Sequence, residues 1–180
     1  MDLQPLFLQR HTTLYDFWLA GVWQVVSPEQ MRQRPHPRVN SIVWNLWHLA
    51  RVEDAGLNRF VVDGKQVFDE GDWLTRLQVP WRHSGGEMDF GEVDEFDQRI
   101  DLTALQGYMA AVQQRTQAIV AQLDLASLDT VMTPERLRVI LFDEGLAHPR
   151  AGGLLENYTG WSAGRCLMNF GLTHPYQHVG

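Results

Sequence analysis

Apolar side chains recur at three- and four-residue steps in four stretches of the chain. Between about residues 6 and 26 the recurring positions are Phe7, Leu14, Phe17, Trp18, Val22 and Val25. That is the period of a helix with one face turned to a core. Ser27-Pro28 stops this first helix. A second is predicted from a cap at Asn40 or Ser41 to about Val62, with Ile42, Val43, Leu46, Leu49, Ala50, Val52 and Leu57 inward and Asp63-Gly64 as its end. A third runs from about Leu102 to Leu123, capped by Asp101 or Thr103, with Leu105, Met109, Val112, Thr116, Ile119, Val120 and Leu123 as its stripe. The last segment, Asn157–Gly180, reads as helix through Trp161, Ala163, Cys166, Leu167 and Phe170, with a break near Gly171. No alternating strand pattern of any length is present. Four such helices predict an all-α fold, a four-helix bundle formed by one domain over residues 1–180.

The connections differ in character. Arg34–Arg38 (RPHPR) holds two prolines and can only be a connector. Residues 63–100 carry ten acidic side chains against Lys65, Arg76, Arg82 and Arg99, so −6 of the net −7 lies there. With five glycines and few apolar residues, this segment is expected to be a long crossover loop with at most a short helix. Residues 124–156 form a second long connector, with a short helix expected at Glu135–Phe142 after the Thr133-Pro134 start signal.

Composition narrows the function. At 180 residues, 44% hydrophobic and 21% charged, the chain is ordinary globular protein. An acidic chain without a basic run is a poor partner for phosphate backbones, which argues against nucleic acid. No apolar stretch approaches 18 residues, so no membrane span is expected. The single cysteine, Cys166, forbids an internal disulfide, and the N-terminus lacks a secretory leader pattern; both fit a cytoplasmic protein. There is no Walker loop, no GxGxxG and no GxSxG.

Seven histidines remain as carriers of chemistry: His11, His36, His48, His83, His148, His174 and His178. The last two form HPYQH. Positions four apart share one face of a helix, so the two imidazoles could hold one transition-metal ion. Alone this is a weak motif, because a chain so rich in histidine produces it often by chance. His48 lies mid-helix in NLWHLARVED. It is either a histidine with a satisfied hydrogen bond or a third ligand pointing into the bundle. Three histidines plus water would make an open, catalytic type of metal site.

NSIVWNLWHLARVED, followed far downstream by LTHPYQHVG, resembles the DinB-like (DinB/YfiT) superfamily of metalloenzymes. Trp47-His48-Leu49-Ala50-Arg51 fits the family's first element, and His174, His178 and Gly180 fit its closing HxxxH. The resemblance implies a four-helix bundle with a long crossover. It also implies one divalent ion, zinc or nickel, on His48, His174 and His178. Some relatives transfer or isomerise with low-molecular-weight thiols such as bacillithiol or mycothiol. A thiol-dependent S-transferase acting on small electrophiles is therefore the expectation. The alternatives are a metal-dependent hydrolase, or a non-catalytic helical protein that binds a metal or small molecule. A small-molecule substrate is the expected partner, with a homodimer through an exposed helix face as a further expectation. Family members carry more helix after HxxxH, so the chain is expected to continue past Gly180.

Four further residues are candidates for positioning or substrate binding. Asn45 could orient His48 or a water on the metal. Arg51, one turn from His48, is either an anion binder or an ion-paired arginine. Trp44 shares the His48 face, and Tyr176 lies inside HPYQH. Cys166 reads as a packed core thiol, and EVDEFD (Glu92–Asp97) as a solvated acidic face. Pro175 is tolerated only in a first turn, so a helix is expected either to start at His174 under a Thr173 cap or to kink near Gly171.

Overall fold

The computed structural model describes residues 3–179. It contains ten helices and, among the described residues, no strand beyond an isolated bridge between Val131 and Ser162. The first, α1, is continuous over residues 3–25, with a wide π segment at Leu14–Leu19. α2 is Pro28–Arg32. α3 covers residues 42–61, as Ile42–Ala55 followed by a π segment at Gly56–Val61. Short helices α4 (Val67–Glu70), α5 (Trp73–Arg76) and α6 (Phe90–Arg99) follow. α7 is Leu102–Gln122. After a 3-10 turn at Leu125–Asp129 come α8 (residues 134–143) and α9 (Leu154–Tyr158). α10 covers residues 163–179 in three pieces, Ala163–Met168, a π segment at Asn169–Thr173, and His174–Val179.

The long helices α1, α3, α7 and α10 are the expected bundle, with α3 packed against α7 and α10, and α1 packed against the same two. Local chemistry sets their starts. Ser41 Oγ accepts from the Trp44 amide at 3.0 Å, so Ser41 and not Asn40 caps α3. Asp101 caps α7 through the Ala104 amide at 2.7 Å. Two groups of buried apolar side chains fill the bundle, and Tyr176 lies against both.

The segment 63–100 corrects the sequence expectation. Three short helices replace a loop, and Val67, Phe68, Trp73, Leu77, Val79, Val93, Phe96 and Ile100 are buried in the same group as Leu46 and Trp47. Each such burial contributes about 1.5–3 kcal/mol. The apolar residues are enough for a core because they join an existing one, and their irregular spacing hid them. In the second connector the expected short helix is found, as α8, with Thr133 Oγ1 accepting from the Arg136 amide at 3.3 Å.

The last helix also differs. It begins after Ser162, whose Oγ accepts from the Arg165 amide at 3.1 Å, and residues 159–162 separate it from α9. There is no break at Gly171. The helix widens there into a π segment, which carries Pro175 without ending the helix, so Thr173 is not a cap. Gly171 is needed for packing: a Cβ there would stand 2.5 Å from Phe7 Cζ.

Two adjacent carboxylates of α3 tie the elements together. Glu53 accepts from Tyr15 Oη at 2.8 Å and from Thr116 Oγ1 at 2.7 Å, and pairs with His11 Nε2 at 2.7 Å. It thereby joins α1 to α7. Asp54 accepts from Tyr108 Oη (2.7 Å), Asn58 Nδ2 (2.9 Å), the amides of Val67 (2.8 Å) and Phe68 (2.9 Å), and Arg51 Nη1 (3.3 Å). It thereby anchors the crossover to the bundle.

Candidate metal centre

His48 lies on α3, and His174 and His178 lie on the last piece of α10. One ring nitrogen of each lies within 4.8 Å of those of the other two. His48 Nε2 and His174 Nε2 are 3.2 Å apart. Donors on one tetrahedral zinc stand about 3.3 Å apart, given metal–nitrogen bonds of about 2.0–2.1 Å. The pair already has that separation. The third ring faces both, with centroids 5.2 Å from His48 and 4.7 Å from His174.

Neighbouring groups fix which nitrogen is free. His48 Nδ1 lies 2.6 Å from the Ser84 carbonyl, which can only accept, so Nδ1 carries the proton and Nε2 a lone pair. Asn45 Nδ2 donates to the Ser41 carbonyl at 2.8 Å, which turns Asn45 Oδ1 toward His178 Nδ1 at 2.9 Å. His178 therefore also presents Nε2. Trp44 stacks on His48 at 4.6 Å with planes 14° apart, which sets the plane of the ring.

Burial works in the same direction. It pushes the His48 imidazolium down to about 4, against the opposing pull of the Ser84 carbonyl. Burial, followed by the neighbouring imidazoles, pushes His174 down to about 3. His178 is lowered by the same loss of hydration. All three rings are neutral at pH 7, the state a metal ion requires. His174 Nδ1 is buried without a partner. His48 Nε2 and His174 Nε2 have only each other as partners, and this convergent donor set suits one divalent ion.

The other candidate positions resolve as follows. Asn45 orients His178, not His48. Arg51 is fully buried, bound to Asp54, Tyr108 and the Arg82 carbonyl and stacked over Phe68, so it is the ion-paired arginine and does not face the centre. Tyr176 donates to the Arg10 carbonyl on α1 at 3.0 Å. Cys166 is a buried thiol pushed up to about 12 by burial. Gly180 lies outside the described residues. Sequence reasoning missed Ser84, which acts through its backbone.

Residues 18–180 match the sequence profile of the DinB superfamily. The chain belongs to the DinB superfamily. The crystal structure of a conserved protein from Enterococcus faecalis has the same fold, with a TM-score of 0.66 at 14% identity over 99% of this chain and 94% of that one. No protein of curated function matches. Among the described residues, no helix of this DinB-superfamily protein is long and apolar enough to cross a membrane.

Proposed function

We propose that this chain is a divalent-metal-dependent enzyme that transfers a low-molecular-weight thiol, such as bacillithiol or mycothiol, onto a small electrophile. The observation that carries the reading is the convergence of His48, His174 and His178, two of them with Nδ1 tied back to an acceptor. Three protein donors leave a position open for an exchangeable ligand, whereas a purely structural site closes with a fourth. Zinc and nickel both suit three imidazoles. An ion there supplies Lewis acidity, which favours the deprotonated form of a thiol or water beside it at neutral pH.

The chain's own residues do the rest. His48 and His178 keep their lone pairs aimed inward through Ser84 and Asn45. Beyond His178 and Asn45 a cleft of about 240 Å³ is walled by Trp18, Val22, Val26, Ile42, Leu46 and Leu49. Such a surface takes the apolar part of an electrophile and excludes water from it. In the transfer the thiol sulfur bonds to the electrophilic carbon, the leaving group departs with its electron pair, and the thiol proton passes to solvent.

The test mixes protein loaded with zinc or nickel, one thiol, and an activated alkyl halide. Thiol consumption above the uncatalysed rate, absent in His48→Ala, is expected. No consumption with either thiol by protein that holds its ion refutes transfer; release of product by water alone points to the hydrolase.

A further inference from the structure

Arg51 is an expensive residue to bury. Its side chain is fully inaccessible, and its Nε has no partner. Stability alone is a weak reason for such a group, because apolar side chains of similar volume often replace buried ion pairs without loss. An apolar residue could not, however, donate a hydrogen bond to a distant carbonyl. Arg51 does so: Nη2 donates to the Arg82 carbonyl at 2.7 Å.

Two residues further along, the Ser84 carbonyl accepts from His48 Nδ1 at 2.6 Å. Arg51 and His48 are one turn apart on α3, so two side chains of one helix hold two carbonyls of the same crossover segment. The rest of that segment has little freedom. The Ser84 amide donates to the Leu146 carbonyl at 3.0 Å, and the Gly85 amide to His83 Nδ1 at 3.1 Å. Gly85 has φ +93°, and a Cβ on it would stand 2.5 Å from Trp47 and 3.1 Å from Trp44, the ring stacked on His48. The backbone at Gly85 is pressed against Trp47 and against Trp44, the ring that sets the plane of His48.

We infer that Arg51 is a positioning residue for the three-histidine centre. By holding the Arg82 carbonyl it fixes the segment that presents Ser84 to His48, and so fixes the tautomer and aim of His48. This rests on the metal reading given above. Its partners Asp54 and Tyr108 anchor the guanidinium, and Phe68 stacks beneath it at 3.9 Å.

The test compares Arg51→Met and Arg51→Lys with Tyr108→Phe. Lysine keeps a charge beside Asp54 but lacks the fork that reaches both Asp54 and Arg82. Tyr108→Phe removes a partner from the same buried cluster and leaves the Arg51–Arg82 bond in place. In metal-free protein, nitrogen NMR reads the His48 tautomer and the protection of its Nδ1 proton. Both Arg51 variants are expected to lose the Nδ1–H signature, and Tyr108→Phe to keep it. Zinc or nickel affinity is expected to fall about 10–100-fold in the Arg51 variants, the size found when a group orienting a ligand is removed, and to stay near wild type in Tyr108→Phe. An unchanged tautomer in folded Arg51→Lys or Arg51→Met overturns the inference, as does an equal loss in Tyr108→Phe. If wild type binds neither ion, the metal reading falls and the NMR comparison alone decides the role of Arg51.

Discussion

Two polar clusters share α3, one through Asp54 and the other through His48 six residues before it, and they are built on opposite rules. The Asp54 cluster is saturated: the carboxylate receives two amides, a phenol, a carboxamide and a guanidinium. Nothing further can bind there; it ties the crossover to the bundle and holds the Arg51 guanidinium. The histidine cluster is unsaturated. Its outer nitrogens are tied down at His48 and His178, while its inner nitrogens face one another. Imidazoles whose inner nitrogens have only one another as partners forgo the hydrogen bonds a saturated cluster makes, and that arrangement suits a ligand.

Breaking the saturated cluster should have the largest effect. Asp54→Ala strips its partners of their acceptor and leaves Arg51 buried and unpaired, so a loss of about 3–5 kcal/mol is expected by denaturant unfolding. A loss within the range of ordinary surface substitutions would show that the cluster is not what holds the crossover. The unsaturated cluster should respond in the opposite sense. In untagged protein, metal content is expected to fall from about one ion per chain to almost none in His48→Ala and in His178→Ala. The unfolding midpoint of the metal-free protein should move little. Unchanged metal content in both variants would remove the site.

A finer cut is Asn45→Ala, which keeps all three ligands and frees His178 Nδ1. Metal affinity should weaken about 10–100-fold by titration with a competing chelator, and an unchanged affinity would mean that His178 is aimed by the helix alone. The smallest effect concerns pH. Burial pushes the Asp97 carboxyl up to about 6, against the stabilising hydroxyl of Ser41. A group raised on folding favours the folded state below its unfolded value, near 4, and that contribution fades as pH rises through 6. Stability measured by unfolding should therefore show a shallow decline across that window in wild type, and Asp97→Asn should flatten it.

Much of this was legible in the sequence. The four long helices announce themselves because one face of each must be apolar, and a three- or four-residue period survives local irregularity. The histidines were legible as a pair by spacing, and as a trio through the resemblance of their two motifs to the DinB-like superfamily. Three things were not. Val67, Phe68, Trp73 and Phe96 reach the core from short helices with no period to read. Ser84 contributes a carbonyl, which every residue has, so no side chain marks it. And the ion-paired reading of Arg51 could not name its partners, because Asp54, Tyr108 and Arg82 are brought together with it only by the fold.

The wide turn at Asn169–Thr173 sits directly before His174. A π segment is a helix carrying one extra residue, and each residue advances the chain by about 100° around the axis. Cys166 and Leu167 before it pack in the bundle core, and His174 and His178 after it meet His48. Removing a single residue from that turn would restore an ordinary helix and swing both rings about a quarter-turn away from His48, with the upstream packing left in register. The surplus residue thus works as an indexing step, letting one rod serve two phases at once.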